Sequence, residues 1–175
     1  YLTEEGAKVY ITDIDDEALA MVKSKTDVEI VKPEEIYALD VDIFAPCALG
    51  AILNDETIPK LKCKLVAGSA NNQLKDTEKH SQMLKERGIV YGVDYILSAG
   101  GVINNSQQYN SFCYNKEAAY KQVATIGDNI QKVINIAEEK DITTVEAAKI
   151  FAVSRLEMSQ NLNKWYLKKE RGIKV

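Results

Sequence analysis

The chain has 175 residues, a formal net charge of −4 and a hydrophobic fraction of 46%, enough for one domain with a full core. This acidic balance argues against a nucleic-acid or anionic-membrane partner, since neutralising phosphates takes clustered Lys and Arg. Cys47, Cys63 and Cys113 are far apart and in no C-x-x-C pair, so neither a disulfide framework nor a zinc site is indicated; no apolar run approaches the roughly twenty residues that span a bilayer, and the cytoplasm is the default compartment.

The chain opens on a strand that ends in an acid. Lys8 to Asp13 (KVYITD) is β-branched and apolar, follows a helix end at Glu4-Glu5-Gly6, and gives way to Asp15-Asp16-Glu17, which open a helix over 15–25. In a dinucleotide-binding βαβ unit the second strand ends on such an acid, placed to bond the hydroxyls of the adenosine ribose. The plainer reading of Asp13 is an ordinary strand-end acid. The glycine-rich turn and strand that should precede it are absent from the chain.

Short strands then alternate with helices up to about Tyr91. Val28–Val31 is a strand, Pro33 suits the first turn of a brief helix over 33–38, and 41–45 is a strand cut off by Pro46. Strand 64–67 runs into the loop Gly68-Ser69-Ala70-Asn71-Asn72-Gln73; helix 76–87 stops at Gly88, and 89–91 is the last strand. Such alternation means a parallel sheet with helices on both faces. From Ser98 onward the pattern is helical, over 99–110, 115–140 and 143–160. Val123, Ile126, Ile130, Val133, Ile134 and Ala137 form an apolar stripe on the middle helix, and Thr144 with Glu146 marks a cap. The basic stretch Lys164 to Lys174 alternates with Trp165, Tyr166 and Leu167 and reads as a solvated or packing tail.

Three loops lie at the C-terminal ends of predicted parallel strands, where open α/β sheets bind ligands. They are Ala45-Pro46-Cys47-Ala48-Leu49-Gly50, Gly68 to Gln73, and Ser98-Ala99-Gly100-Gly101. Small residues let the backbone approach a flat ring, and Asn offers both donor and acceptor to an amide or carboxylate. Taken singly each loop is an ordinary turn, because Gly and Asn are common turn formers. His80, between Lys79 and Ser81, reads as a surface histidine. Cys47 reads as a small residue rather than a nucleophile, Asp94-Tyr95 as structural, and Glu138 to Asp141 as a solvated helix end.

Taken together, the runs Asp42–Ile52, Gly68–Leu74, Gly88–Tyr91 and Ala99–Asn104 resemble the C-terminal domain of the leucine, phenylalanine and valine dehydrogenases, relatives of glutamate dehydrogenase. The resemblance runs from Gly6 to about Ile150, and Thr12-Asp13-Ile14 matches the leucine dehydrogenase branch. It implies oxidative deamination of an L-amino acid to its 2-oxo acid and ammonia with NAD, favoured over NADP because Asp13 would repel a 2′-phosphate. It implies that Asp13 and Ile14 face the adenosine ribose and that Pro46, Cys47 and Ala48 lie along the cofactor. Asn72 would sit near nicotinamide and the substrate carboxylate, with Ala99, Gly100 and Gly101 lining the reacting centre. The partners implied are an amino acid and its 2-oxo acid, with a homo-oligomer as the assembly.

The chain departs from that family in two ways. The lysines and aspartate that would do its acid–base work belong to a separate N-terminal domain and match no motif here. At the substrate wall the family reads Gly-Gly-Val-Ile-Asn-Val; Val102 matches the first valine, but Asn105 replaces the second, and Ser98 stands where Asn is usual. An unpaired Asn105 at an apolar wall would cost about 1–3 kcal/mol, so either it turns away or the preferred substrate is not leucine. The expected fold is thus a Rossmann-like parallel sheet lacking its first strand, with a partial NAD-binding unit over 1–97 and a helical segment over 98–175. In the strand order 3-2-1-4-5-6, loss of the central strand leaves 8–31 and 41–91 as two half-sheets with no shared ladder. A competing reading is a non-enzymatic dinucleotide-binding or regulatory module.

Overall fold

The computed structural model describes residues 1–110 and 114–170, with side chains omitted at 110 and over 160–170. Cys113 and the basic stretch from Lys164 to Lys174 therefore lie outside the described side chains. The chain is α/β, with parallel strands followed by helices. Strand β1 (Val9–Ile11) leads into helix α1 (Asp16–Lys25) and strand β2 (Val28–Ile30). Strands β3 (Ile43–Phe44), β4 (Leu65–Val66) and β5 (Val90–Tyr91) follow, with helix α2 (Thr77–Glu86) between the last two. Helices α3 (Asp94–Leu97), α4 (Gly100–Asn110), α5 (Lys116–Lys140) and α6 (Thr144–Glu170) complete it.

The strands form two sheets. β1 pairs with β2 in parallel, Val9 opposite Val28. Separately, β3, β4 and β5 pair in that order, Ile43 opposite Leu65 and Leu65 opposite Val90. No ladder joins the sheets among the described residues. The five strands fall where the β-branched runs predict them, each shorter than expected. The helix expected over 33–38 is only a 3₁₀ turn at Ile36–Ala38, because Pro33 starts a segment too short to nucleate an α-helix.

Local chemistry explains the helix ends. Asp15 caps α1, its carboxylate accepting from the N–H groups of Glu17 and Ala18, and Asp76 caps α2 through Lys79 N–H. The α6 cap is Thr143 rather than the expected Thr144. Thr143 Oγ1 accepts from Glu146 N–H, while Glu146 Oε2 accepts from Thr143 N–H, a reciprocal capping box. Thr144 turns its hydroxyl to the Tyr91 carbonyl at 2.7 Å instead.

One core serves the second sheet and the late helices. Phe44, Val66, Leu84 and Tyr91 pack with Val133, Ala137 and Ala148. Lys85 Nζ reaches Asp141 Oδ1 at 2.8 Å and also bonds the Asp141 carbonyl. The turn between α5 and α6 is thereby tied to α2 and, through Thr144, to β5.

Candidate functional site

The three loops singled out in the sequence follow β3, β4 and α3, all beyond the carboxyl ends of parallel strands, and they interlock. Ala70 N–H donates to Pro46 O at 2.9 Å, and Ala51 N–H to Asn72 O at 2.7 Å. Ser98 Oγ donates to Asn71 Oδ1 at 3.1 Å. Ala51 and Asn72 face each other across this contact, both left-handed with φ of 57° and 51°. Such a conformation suits Asn but costs Ala about 1–2 kcal/mol, strain of the kind that collects at functional sites.

The small residues here answer a steric demand. A Cβ on Gly68 would fall 2.0 Å from Pro46 O and 2.4 Å from Pro46 N, so the two loops touch backbone to backbone. One on Gly50 would lie 2.9 Å from Asn71 O. At Gly100 and Gly101 a Cβ would meet nothing within 4 Å, leaving that stretch open.

Each candidate has a definite place. Pro46 is buried under the second loop, while Cys47, Ala48 and Asn72 are exposed and Ala99 is half-buried. Val102 is 74% exposed, and Asn105 stands exposed one turn further along α4. Asp13 follows β1 on the other sheet; its Oδ1 accepts from Asp15 N–H within its own turn, and Ile14 is wholly exposed. No described hydrogen bond joins Asp13 to the three loops. These loops contain no charged residue, so they can bind and orient a ligand but offer no acid or base. Burial first and the Asp94 charge second push the Tyr91 and Tyr95 phenols up, keeping them protonated and uncharged.

His80 is not the surface histidine its sequence suggests. It is 1% exposed, and its Nδ1 accepts the Asp76 N–H at 2.8 Å, so the ring finishes the cap of α2 from within. Asp94 is buried, with Oδ1 accepting from Tyr95 N–H at 2.8 Å and Oδ2 facing Gln73 N–H at 3.4 Å. The sequence puts Gln73 in the second loop without marking it as buried, because its run resembles an ordinary turn, yet it is fully buried beside Asn72. A cavity of about 230 Å³ among Ser81, Lys85, Tyr91, Asp141 and Thr144 involves none of the candidate residues.

The profile of the Glutamate/Leucine/Phenylalanine/Valine dehydrogenase family matches residues 3–163. The chain is 48% identical over 173 residues to leucine dehydrogenase of Thermoactinomyces intermedius, covering 99% of this chain and 46% of that protein. It is 39% identical to phenylalanine dehydrogenase of Caldalkalibacillus thermarum, covering 94% and 45%. The crystal structure of L-tryptophan dehydrogenase from Nostoc punctiforme superposes with a TM-score of 0.85 at 44% identity, covering 89% of this chain and 47% of that one. The chain thus spans about half the length of these relatives. Matched along nearly all of its own length in sequence and fold, it belongs to the glutamate/leucine/phenylalanine/valine dehydrogenase family of amino-acid dehydrogenases.

Proposed function

We propose that the chain is the cofactor-binding portion of an NAD-dependent L-amino-acid dehydrogenase, with residues 1–97 as the dinucleotide unit and 98–175 as a helical segment. One observation carries the reading: three uncharged, small-residue loops lock together beyond the carboxyl ends of parallel strands, where this fold class binds ligands, in a chain of that family. The overall reaction takes an amino acid, water and NAD⁺ to a 2-oxo acid, ammonium, NADH and a proton.

The residues present fit two ends of such a cofactor. Asp13 and Ile14 are exposed at a strand end, ready for the adenosine ribose. Pro46, Cys47 and Ala48 would line the path to the nicotinamide, with the Asn72 carboxamide orienting that ring or the substrate carboxylate. Bound nicotinamide supplies a hydride acceptor; the chain's own part is to hold it and the α-carbon in register. Ala99, Gly100 and Gly101 provide open backbone beside the reacting centre. Val102 and Asn105, three residues apart on one face of α4, would form the wall for the side chain. The substrates are branched-chain or other apolar amino acids and their 2-oxo acids, handled by a homo-oligomer in the cytoplasm.

The test uses the complete polypeptide that carries this chain. NADH formation is measured with leucine, valine, phenylalanine, methionine and a polar amino acid. Turnover of at least one apolar member, with Asn105→Val shifting preference toward branched aliphatic substrates, is expected. Tight NAD binding without oxidation of any member would replace this reading with the non-enzymatic module. An unchanged rank order in Asn105→Val would remove that residue from the wall.

A further inference from the structure

Gln73 has a polar side chain with no exposed surface, and burying a carboxamide is unfavourable unless it is bonded. Its Nε2 donates twice, to Gly68 O and to Ala70 O, both at 2.9 Å, while its buried Oε1 has no hydrogen-bond partner among the described residues. Both partners are carbonyls, so the amide can face only one way. The two bonds gather the turn from Gly68 to Ala70 onto one side chain. The same residue's backbone N–H faces Asp94 Oδ2, and its carbonyl accepts from Leu53 N–H at 3.0 Å. Gln73 is therefore bonded to its own turn, to the segment after the first loop, and to the start of the helix that delivers the third. The exposed residue immediately before it is Asn72, left-handed and bonded to Ala51.

We propose that Gln73 is a positioning residue: its buried carboxamide, on a residue whose backbone N–H faces Asp94, holds the Gly68–Asn72 turn in the one shape that presents Asn72 to a ligand. It touches no ligand itself and acts through Asn72. The proposal rests on the dinucleotide-site reading above for its kinetic consequence, but its structural content stands apart from that reading.

Gln73→Met keeps the length of the side chain and removes both donors. In the complete enzyme it should lower kcat by about 10-fold, the scale of a misplaced orienting group, while the KM for NAD stays within about 3-fold. Combined with Asn72→Ala, the same change should cost less than about 3-fold, because residues acting as a unit are not additive. An equal factor in both backgrounds overturns the proposal, as does a pure rise in KM. Should Gln73→Met fail to fold, or the protein prove to have no dehydrogenase activity, unaltered protein still decides. The Gln73 side-chain amide protons should exchange with solvent at least about 100-fold more slowly than those of exposed Asn71, an opening cost converted at about 1.4 kcal/mol per tenfold. Comparable rates for the two amides overturn the proposal whatever the activity.

Discussion

The two sheets are made of similar β-branched segments with parallel pairing, yet they are held in different ways. In the first, Val9, Tyr10 and Ile11 are half-buried, and Val28 is the buried residue of β2; α1 adds only Leu19 to the buried set. In the second, Phe44, Val66 and Tyr91 are 7%, 0% and 3% exposed and join a core that reaches Val133 and Ala148. The difference lies in what covers the strands. α2 and α6 both pack on β5, whereas β1 and β2 have α1 and each other. A short parallel strand becomes interior when layers enclose it, whatever its own propensity. The three loops thus stand on a packed base, and Asp13 stands on a thin one.

The sharpest way to break that contrast is Gly68→Ala. Its methyl would enter backbone 2.0 Å away, so the loops after β3 and β4 must part, at a cost of about 3 kcal/mol or more. A urea midpoint unchanged from the parent would show the packed base to be softer than its geometry. Next comes a paired truncation. Leu84→Ala, at a site with no exposure, should cost about 2–4 kcal/mol. Leu19→Ala, 8% exposed in the thin unit, should cost about 1 kcal/mol and open only residues 1–31 to amide exchange. Equal losses would mean that the two sheets unfold as one.

Cofactor discrimination comes third. Asp13→Ala should shift the ratio of kcat/KM for NAD over NADP by about 10-fold toward NADP, or about 1.4 kcal/mol, while kcat with NAD stays close to the parent value. An unchanged ratio places Asp13 away from the ribose. The smallest effect concerns the α6 cap. Hydrogen bonds from the Thr143 backbone and then its hydroxyl hold the Glu146 carboxyl below its ordinary range. A carboxyl lowered in the folded state stabilises fully above its unfolded value and loses that contribution as pH falls through the folded one. Unfolding free energies of the parent and Glu146→Gln should therefore converge as pH drops from 7 toward 3, from a gap of about 0.5 kcal/mol or less at this exposed site. Parallel curves would mean that the Glu146 charge does nothing at the cap.

Much of this architecture is readable in the residues because local signals coincide. Asp15 and Asp76 announce the helices they cap, and Pro46 marks where β3 ends. His80 misleads because the charged Glu78 and Lys79 precede it in sequence, while the face it shares with Ser81 and Leu84 turns inward. The one available signal was its spacing, four residues after the cap Asp76. Gln73 stayed hidden for a different reason. Its partners, Gly68 O and Ala70 O, are backbone atoms that leave no mark in side-chain pattern, and Asp94 lies 21 residues away. Meeting of the three loops depends on strand order, which spacing alone does not encode.

The tie between Lys85, Asp141 and Thr144 also has a mechanical meaning. α5 has 25 residues and so measures about 37 Å at 1.5 Å per residue. It is anchored at its C-terminal end to α2, with Thr144 joining the following helix to β5. Near its other end Gln122 Oε1 accepts from Gln107 Nε2 of α4 at 2.7 Å, on the helix that bears Val102 and Asn105. Gln122 lies about 28 Å from the anchor by the same rise. A pivot of about 5° at Asp141 would therefore carry it about 2.5 Å, half the pitch of a helical turn. α5 thus links the tied turn at its C-terminal end to the helix that carries Val102 and Asn105.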